Sequence, residues 1–356
     1  MTFDYKTLSD AGALDGKRVF AAIDLNVPLR GGMVVDDYRI ARSKNTLDFL
    51  QKNGARTLLV SHRTDESESL FAVFRLLKKK YQIVFVKTIE EANSALEQAR
   101  NGTFVILENI RQFSGEKENS EEFAKTLAGL ADVYVNEAFS ISHRAHASIV
   151  GVPKFLPHYA GFLFEEEVKN LSRAFSPAHP FLFILGGAKT ETKLPLLKKF
   201  LSIADTVFVG GVLANDIFKA RGEFVGTSRV SATAFPISLL HHKKLRVPTD
   251  VVRNGDRIVD AGEKDIADIR TLARAAKLVV WNGPLGEYEK GFDAGTIALA
   301  QALAESDAET IIGGGDTLAV IAKLGLIERF SFVSIAGGAM LQFLAEGTLP
   351  GIEALR

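Results

Sequence analysis

The sequence contains no cysteine, which excludes disulfide bonds and any metal site built on thiolate ligands. It also lacks a charge imbalance, since 43 lysine and arginine residues face 43 aspartate and glutamate residues. No overall electric field therefore favours nucleic acid or an anionic membrane as a partner. No apolar run approaches ~20 residues, and the N-terminal stretch has no hydrophobic signal-type segment. These absences predict a soluble, cytoplasmic protein without a nucleic-acid or membrane partner.

Two standard nucleotide-binding motifs are absent as well. Neither G-x-x-x-x-G-K-[ST] nor G-x-G-x-x-G occurs, which argues against a P-loop enzyme and against a standard dinucleotide fold. What is present is a steady alternation of short apolar segments with helix-forming segments along both halves of the chain. This alternation predicts parallel sheets covered by helices. The 356 residues, 47% of them hydrophobic, suffice for about two domains of ~150 residues.

Five strand-like segments in the second half of the chain end in glycine. The first covers 181–185 and is followed by two glycines and then by Lys189 and Lys193; the others end near 211, 283, 315 and 338. Glycine lets a backbone approach a phosphate closely, so this pattern predicts one anion site at the carboxyl edge of a parallel sheet. The alternative is a series of ordinary strand-to-helix turns. Asp316 follows three glycines and is either a Mg²⁺ ligand or the cap of a helix from Thr317, and the two roles are compatible.

Polar residues follow the predicted strands of the first half, where they should share one sheet edge. We define the basic patch as Arg39, His62, Arg111, His143, Arg144 and His146. Such a patch suits a phosphorylated or carboxylated small molecule, although a single arginine after a strand is more often a solvated loop residue. A metal pair at His143 and His146 is a further alternative that lacks a third ligand.

Two helices are predicted at particular positions. One begins at a cap formed by Asp36 or Asp37 and ends at Gly54, which places Arg39 in its first turn. The other covers 160–175, ends at a Ser-Pro sequence and joins the two halves of the chain. The apolar residues Leu341, Phe343, Leu344 and Leu349 predict a tail that packs on another part of the protein.

Eight segments, taken together, resemble the phosphoglycerate kinase family. They are DLNVP at 24–28, DYRI at 37–40, SH at 61–62, LENIR at 107–111, HRAHAS at 143–148, ILGGAK at 184–189, WNGP at 281–284 and GGGD at 313–316. They occur in that family's order and span nearly the whole chain, which ends with LPGIEAL at 349–355.

The resemblance implies an α/β fold of two Rossmann-like domains, each a parallel sheet flanked by helices, with a hinge and an interdomain helix. It implies a domain over 1–159 that binds 3-phosphoglycerate or 1,3-bisphosphoglycerate, an interdomain helix over 160–176, and a domain over 177–342 that binds ATP or ADP with Mg²⁺. The tail, 343–356, would pack on the first domain. The implied activity is reversible phosphoryl transfer between 1,3-bisphosphoglycerate and ADP, giving 3-phosphoglycerate and ATP in glycolysis and gluconeogenesis, by a monomeric enzyme.

The resemblance also implies roles for individual residues. The positions that match substrate ligands are Asp24, Asn26, Arg39, His62, Arg111 and Arg144. Those that match the nucleotide site are Gly187, Lys189, Lys193, Gly211, Asn282, Glu289, Gly315, Asp316 and Thr317. Arg39, Lys189 and Lys193 would act on the moving phosphoryl group, Glu289 on the ribose and Asp316 on the metal.

The sequence departs from the family pattern at four positions. Ala22 and Asp65 stand where the family has arginine, Thr192 where it has aspartate, and Ile335 where it has the threonine of a hinge turn. Arg63 is a candidate to compensate for the arginine missing at Asp65. These departures leave open a catalytically weakened nucleotide-binding homologue or a kinase for a related acyl phosphate. A dehydrogenase is disfavoured because the dinucleotide motif is absent.

Overall fold

The computed structural model describes residues 4–356 and divides the chain into two compact α/β units. The first unit comprises the chain up to Lys169 together with Thr348–Arg356, and the second comprises Asn170–Gly347. Each is built on a six-stranded parallel sheet flanked by helices, which agrees with the predicted fold class. Among the residues that the structure describes, every helix is too short or too polar to cross a bilayer.

The strands of the first unit are β1 (Arg18–Ala22), β2 (Leu29–Arg30), β3 (Met33–Val34), β4 (Arg56–Val60), β5 (Ile83–Val86), β6 (Phe104–Leu107), β7 (Val133–Asn136) and β8 (His158–Ala160). The parallel sheet has the order β5-β6-β4-β1-β7-β8, and β2 pairs with β3 in a separate hairpin. In the interior strand β1, Ala22 lies in register with Val60 and Asn136. The residues that follow β1, β4, β6 and β7 therefore meet at one carboxyl edge.

The helices of this unit are α1 (Tyr38–Arg42), α2 (Lys44–Lys52), α3 (Phe71–Leu77), α4 (Ile89–Gln98), α5 (Glu121–Ala128) and α6 (Phe162–Ser172). The single helix predicted up to Gly54 is wrong, because it is interrupted at Ser43, where φ is −83° and ψ is 2°. The backbone N–H of Ser43 bonds to the Ile40 carbonyl three residues earlier at 3.1 Å, so α1 ends in a tighter turn at this point. The division between the two units falls within α6.

The strands of the second unit are β9 (Phe181–Leu185), β10 (Thr206–Val209), β11 (Leu245–Arg246), β12 (Val251–Asn254), β13 (Arg257–Ala261), β14 (Leu278–Asn282), β15 (Glu309–Gly313) and β16 (Phe332–Val333). The parallel sheet has the order β11-β10-β9-β14-β15-β16, and β12 pairs with β13 as an antiparallel hairpin. The five strands predicted to end in glycine are therefore consecutive neighbours in one sheet. Their glycine turns follow the same carboxyl edge.

The remaining helices are α7 (Thr190–Ile203), α8 (Gly211–Ala220), α9 (Glu263–Ala275), α10 (Ala294–Ala304), α11 (Gly315–Lys323), α12 (Gly338–Glu346) and α13 (Pro350–Glu353). Every residue of β9 and β14 is buried, as expected for parallel strands covered on both faces. In the first unit, the backbone N–H of Gly351 in α13 donates to the carbonyl of Ser142 at 2.8 Å. Residues 343–347 of the predicted tail lie instead in the second unit.

Candidate active site

Asp24, two residues after β1, organises the polar edge of the first unit. Its Oδ2 accepts hydrogen bonds from Nη1 of Arg39 at 2.6 Å and from the hydroxyl of Ser140, and its Oδ1 accepts one from the backbone N–H of Asn26 at 2.9 Å. The Asp24 side chain is 4% exposed, whereas that of Arg39 is 32% exposed. A buried carboxylate therefore orients a guanidinium group that still reaches solvent.

The loop that follows β4 joins the same edge. The side-chain amide of Asn26 donates to Oγ1 of Thr64 at 2.8 Å, and Nη1 of Arg111 donates to the carbonyl of Arg63 at 3.1 Å. His62 is buried here, and its burial lowers the pKa of the imidazole to about 4, although the nearby Asp24 carboxylate opposes the shift. At pH 7 His62 is consequently a neutral hydrogen-bonding group.

The other histidines of the basic patch are also neutral at pH 7. Burial and then the positive charge of Arg111 lower the pKa of His146 to about 4, and burial lowers that of the half-buried His143. The prediction that these histidines contribute basic charge is therefore wrong, because it neglected their desolvation. Within residues 4–356 no group of three or more His, Asp or Glu side chains is arranged to hold a metal ion, so the His143–His146 metal pair finds no support.

A buried carboxyl group, Glu116, lies under the patch. Its Oε2 accepts from the backbone N–H of Ser148 at 2.9 Å, its Oε1 accepts from the Ser148 hydroxyl at 2.6 Å, and Nδ1 of His146 lies 3.7 Å from Oε1. Burial raises the pKa of Glu116 to about 7, while the Ser148 hydrogen bonds act against that rise. Glu116 thereby anchors the segment that carries His143, Arg144 and His146.

The two departures in the first unit, Asp65 and Ala22, have surroundings that differ from those of Arg63. Arg63 is buried, donating to the carbonyl of Val27 at 2.5 Å and pairing with Glu68 at 2.9 Å. The hypothesis that Arg63 replaces the missing arginine is therefore wrong, since its guanidinium group already holds the loop together. Asp65 is exposed, and its carboxylate accepts from the backbone N–H and hydroxyl of Ser67 at 2.8 and 2.7 Å. Ala22 is 1% exposed.

Glycine turns at the carboxyl edge of the second unit pack tightly against each other. The backbone N–H of Gly187 donates to the carbonyl of Pro284 at 2.6 Å, and that of Gly211 donates to the carbonyl of Leu285 at 3.1 Å. A Cβ atom on Gly186 would lie 2.1 Å from the Pro284 carbonyl oxygen, and one on Gly211 would lie 2.6 Å from the Gly187 carbonyl oxygen. Close backbone packing thus requires glycine at positions 186 and 211, whether or not a ligand is bound.

The two lysines after β9 differ in their environment. Lys189 is exposed and precedes α7, whereas Lys193 is 5% exposed and its Nζ donates to the carbonyl of Gly186. Burial lowers the pKa of Lys193 to about 8; the Asp316 carboxylate opposes this shift and the Lys189 ammonium adds to it. Lys193 therefore keeps most of its charge at pH 7.

The start of α11 lies at the same edge. The helix begins at Gly315 with Gly314 as its N-terminal cap, so the interpretation of Asp316 as the cap is wrong. Asp316 lies instead in the first turn with an exposed side chain. Thr317 is buried, and its Oγ1 accepts from the backbone N–H of Gly283 at 2.9 Å. Thr317 thus positions the turn after β14, and the buried Asn282 ends that strand.

A cavity of about 520 Å³ opens at this edge. Five of the predicted nucleotide residues line it, namely Gly187, Lys189, Gly211, Glu289 and Asp316, whereas Lys193, Asn282, Gly315 and Thr317 do not. The wall also includes residues that the sequence analysis missed, among them Asn215, Phe218, Thr227, Arg229, Val259 and Tyr288. No short motif marks these residues, because the hairpin β12–β13 and the segment around 227–231 reach the cavity only in the folded unit. The mixture of apolar walls with lysine and a carboxylate suits a nucleotide.

Comparison with known proteins identifies the family. The family model described as phosphoglycerate kinase matches residues 8–347. The chain belongs to the phosphoglycerate kinase family. It is 39% identical to the phosphoglycerate kinase of Methylorubrum extorquens over an alignment of 395 positions, gaps included, that covers 99% of each chain. It is also 39% identical to that of Pelotomaculum thermopropionicum, with 98% of each chain covered.

Solved phosphoglycerate kinase structures show the same fold. The structure from Coxiella burnetii has a TM-score of 0.84 at 35% identity and covers 99% of this chain and 98% of its own. The structure from Pyrococcus horikoshii has a TM-score of 0.87 at 28% identity, with 98% of both chains covered. The predicted family, the two-unit α/β fold and the class of phosphotransferases with a carboxyl-group acceptor are thereby confirmed, as is the phosphoglycerate kinase function that this family implies. ATP and ADP are the nucleotide substrates of this family.

Proposed function

We propose that this chain is an active phosphoglycerate kinase in which each unit supplies one half of the reaction. The observation that carries this proposal is the cavity of the second unit, where Lys189 and Asp316 line the wall and the cationic Lys193 lies under the glycine turn. The first unit includes the stretch predicted as the domain over 1–159, and the second includes that predicted as the domain over 177–342. The first binds 3-phosphoglycerate or 1,3-bisphosphoglycerate and the second binds ATP or ADP.

In the first unit, the residues promote phosphoryl transfer by neutralising charge rather than by acid–base catalysis. The carboxylate of 3-phosphoglycerate is ionised at pH 7, so its oxygen can attack the terminal phosphorus of ATP without a general base. Arg39, oriented by Asp24, neutralises charge on the transferring group. Arg111 and Arg144 bind the distal phosphate, and the neutral His62 donates a hydrogen bond.

Asn26 completes the acid-binding side of this unit. Its backbone N–H is held by Asp24 and its side-chain amide by Thr64, so the residue is fixed before the ligand arrives. Such preorganisation lowers the entropy cost of binding. We assign Asn26 to the carboxylate and hydroxyl end of the phosphoglycerate.

In the second unit, the lysines follow the charge that moves with the phosphoryl group. Lys189 binds the nucleotide phosphates from the exposed turn, and Lys193 stabilises the charge that develops as the bond between the β- and γ-phosphates breaks. Glu289 accepts hydrogen bonds from the ribose hydroxyls. Gly187 and Gly211 keep the wall open beside the phosphates.

Three further residues act by shaping the phosphate side of the cavity. Asn282 is buried at the carboxyl end of β14, and Thr317 is buried in the first turn of α11. Gly315 leaves the backbone exposed at the start of that helix. We assign them to the nucleotide site through the position that they give to the backbone N–H groups of this edge.

Asp316 is the residue that would hold Mg²⁺. Its exposed carboxylate on the cavity wall fits a metal that typically takes one or two protein carboxylates together with substrate phosphates and water. The metal would supply charge neutralisation on the nucleotide phosphates. One carboxylate without further protein ligands agrees with a metal that arrives with its nucleotide.

A second candidate function follows from Ala22 and Asp65, which leave the phosphoglycerate side with fewer cations. A related acyl phosphate without a distal phosphate, or a weakened enzyme that only binds nucleotide, would tolerate this loss. Phosphorus NMR of the protein with Mg²⁺, ATP and either 3-phosphoglycerate or another short acid distinguishes these functions. We expect signals of an acyl phosphate and of ADP to appear as products when 3-phosphoglycerate is the acid, and not with the other acids. A stronger signal with an unphosphorylated acid would establish the second candidate instead.

We further propose that the enzyme is a cytoplasmic monomer whose partners are these small molecules alone. The balanced charge of the chain supports the absence of a nucleic-acid or membrane partner, since no overall field favours a polyanion or a membrane. Light scattering coupled to size exclusion tests it, with a mass near 38.7 kDa expected. Twice that mass would contradict the monomer.

A further inference from the structure

Asp216 is a buried carboxylate of the second unit that has no part in the roles described above. It lies in the middle of α8 and is 5% exposed. Its Oδ2 accepts a hydrogen bond from Oγ1 of Thr190 at 2.6 Å, and its Oδ1 accepts one from the backbone N–H of Ser231 at 2.7 Å. The carboxylate thus joins three parts of the chain: α8, the first residue of α7 and the segment 227–231.

The first of these bonds fixes the start of α7. Thr190 opens this helix directly after Lys189 and one turn before Lys193. Because Thr190 is buried, its hydroxyl needs a partner, and a carboxylate at a helix start is also favoured by the helix dipole. Position 192, where the family pattern places an aspartate, is a threonine whose hydroxyl donates to the Lys189 carbonyl at 3.0 Å. Position 192 is exposed, so the buried carboxylate that contacts this helix start is that of Asp216.

The second bond fixes the segment 227–231. Thr227 and Arg229 of this segment line the nucleotide cavity. The backbone is held at two points by neighbouring residues of α8, at Ser231 by Asp216 and at the Arg229 carbonyl by the side-chain amide of Asn215 at 3.0 Å. The segment forms neither helix nor strand, so side-chain hydrogen bonds contribute to its order. Thr227 and Ser228 at its start bond to Asp256 and to the backbone N–H of Ile258, whereas α8 holds its end.

We propose that Asp216 is a positioning residue for nucleotide binding. Through one carboxylate it sets the position of the lysine-bearing turn and of the cavity wall at 227–231, two segments that contact the same ligand. The inference rests on the proposed function only for the identity of that ligand, ADP or ATP. Asparagine at this position keeps the size of the side chain but removes the charge and one of the two acceptors.

The test is a calorimetric titration of the full chain with ADP and Mg²⁺. Asp216→Asn and Thr190→Val should each weaken ADP binding about tenfold, the effect expected from losing a charge-assisted hydrogen bond. Thr190→Ser keeps the hydroxyl and should bind within about twofold of wild type. Thr310→Val is the matched control, because Thr310 is equally buried, its hydroxyl accepts from the backbone N–H of Ser331 at 3.0 Å, and it does not line the cavity.

Hydrogen exchange at the Ser231 amide of the ligand-free protein provides a readout that does not depend on the nucleotide. Faster exchange in Thr190→Val and Asp216→Asn, together with weaker ADP binding, supports the proposal. If exchange becomes faster but the variants still bind ADP within about twofold of wild type, the proposal is overturned. An equal loss of ADP affinity in Thr310→Val also overturns it. A wild-type protein that binds no ADP would refute the proposed function itself. The Thr190 variants keep the proposal testable if Asp216→Asn does not fold.

Discussion

The buried ammonium group of Lys193 predicts that nucleotide use weakens at alkaline pH. Burial lowers its pKa from 10.5 to about 8. At ~1.4 kcal/mol per pKa unit, this shift favours the neutral form by roughly 3 kcal/mol in the folded, ligand-free protein. Raising the pH above about 8 therefore removes the charge that a nucleotide phosphate needs. We expect kcat/KM for ATP to fall by about tenfold for each pH unit in this range.

The same shift has the opposite effect on stability. Because the folded pKa is lower than the unfolded one, the unfolded chain binds more protons between about pH 8 and 10.5. The free energy of unfolding contributed by Lys193 is therefore lowest below that range and rises through it. Activity and this contribution to stability should change in opposite directions with pH.

The assay is kcat/KM for ATP at saturating 3-phosphoglycerate, measured from about pH 6.5 to 9.5 in wild type and Lys193→Met. The variant should be about a hundredfold slower at neutral pH and should lose the alkaline fall, since methionine does not titrate. A wild-type profile that stays level to the alkaline limit, or the same fall in Lys193→Met, would refute the reasoning. A loss confined to KM would make Lys193 a ground-state ligand.

Four further predictions concern the two halves of the site. Asp316→Asn should lower turnover strongly and raise the Mg²⁺ requirement in a steady-state assay, while Tm changes by roughly 2 °C or less because the side chain is exposed. Arg63→Met should raise KM for 3-phosphoglycerate and lower Tm, whereas Lys117→Met, which breaks only the exposed ion pair with Glu66, should change neither. Asp65→Arg should lower KM for 3-phosphoglycerate about tenfold and leave KM for ATP within about twofold. Glu116→Gln should raise Tm at pH 8 but not at pH 5 in scanning calorimetry, since the raised pKa of Glu116, about 7, penalises the folded state only as pH rises above 4.5.

Each of these expectations has a result that contradicts it. Wild-type turnover in Asp316→Asn would remove the metal role from that residue. Equal behaviour of Arg63→Met and Lys117→Met would mean that the buried guanidinium group does not hold the loop. An unchanged KM in Asp65→Arg would place position 65 outside the patch. A Tm difference for Glu116→Gln that is independent of pH would show that Glu116 does not titrate in this range.

The local sequence pattern was sufficient to predict those elements in which each residue type has a single structural role. Apolar segments ending in glycine predicted β9, β10, β14, β15 and β16, because buried parallel strands and tight turns leave few alternatives. The two lysines that follow the glycine turn after β9 were predicted to serve one anion site, and they lie directly before α7 and in its first turn.

The sequence could not predict protonation states, side-chain partners or parts of the cavity wall, because these depend on the tertiary environment of each residue. The histidines of the basic patch are neutral because of burial, and burial is decided by chain segments distant in sequence. Arg63 is of a residue type that often binds anions. Its actual partners, Val27 and Glu68, could not be predicted because they depend on how the loop folds. The wall formed by Val259 and Arg229 was missed because it depends on a hairpin and an irregular segment brought together by tertiary packing.

The central claim is that this chain transfers a phosphoryl group between ATP and 3-phosphoglycerate by charge neutralisation from both of its units. The most direct measurement is a coupled assay for ATP-dependent formation of 1,3-bisphosphoglycerate by wild type, Arg39→Met and Lys193→Met. We expect wild-type turnover in the kinase range of roughly 1–100 s⁻¹ and a loss of about a hundredfold or more in each variant. Absence of turnover in wild type, or full activity in either variant, would contradict the account.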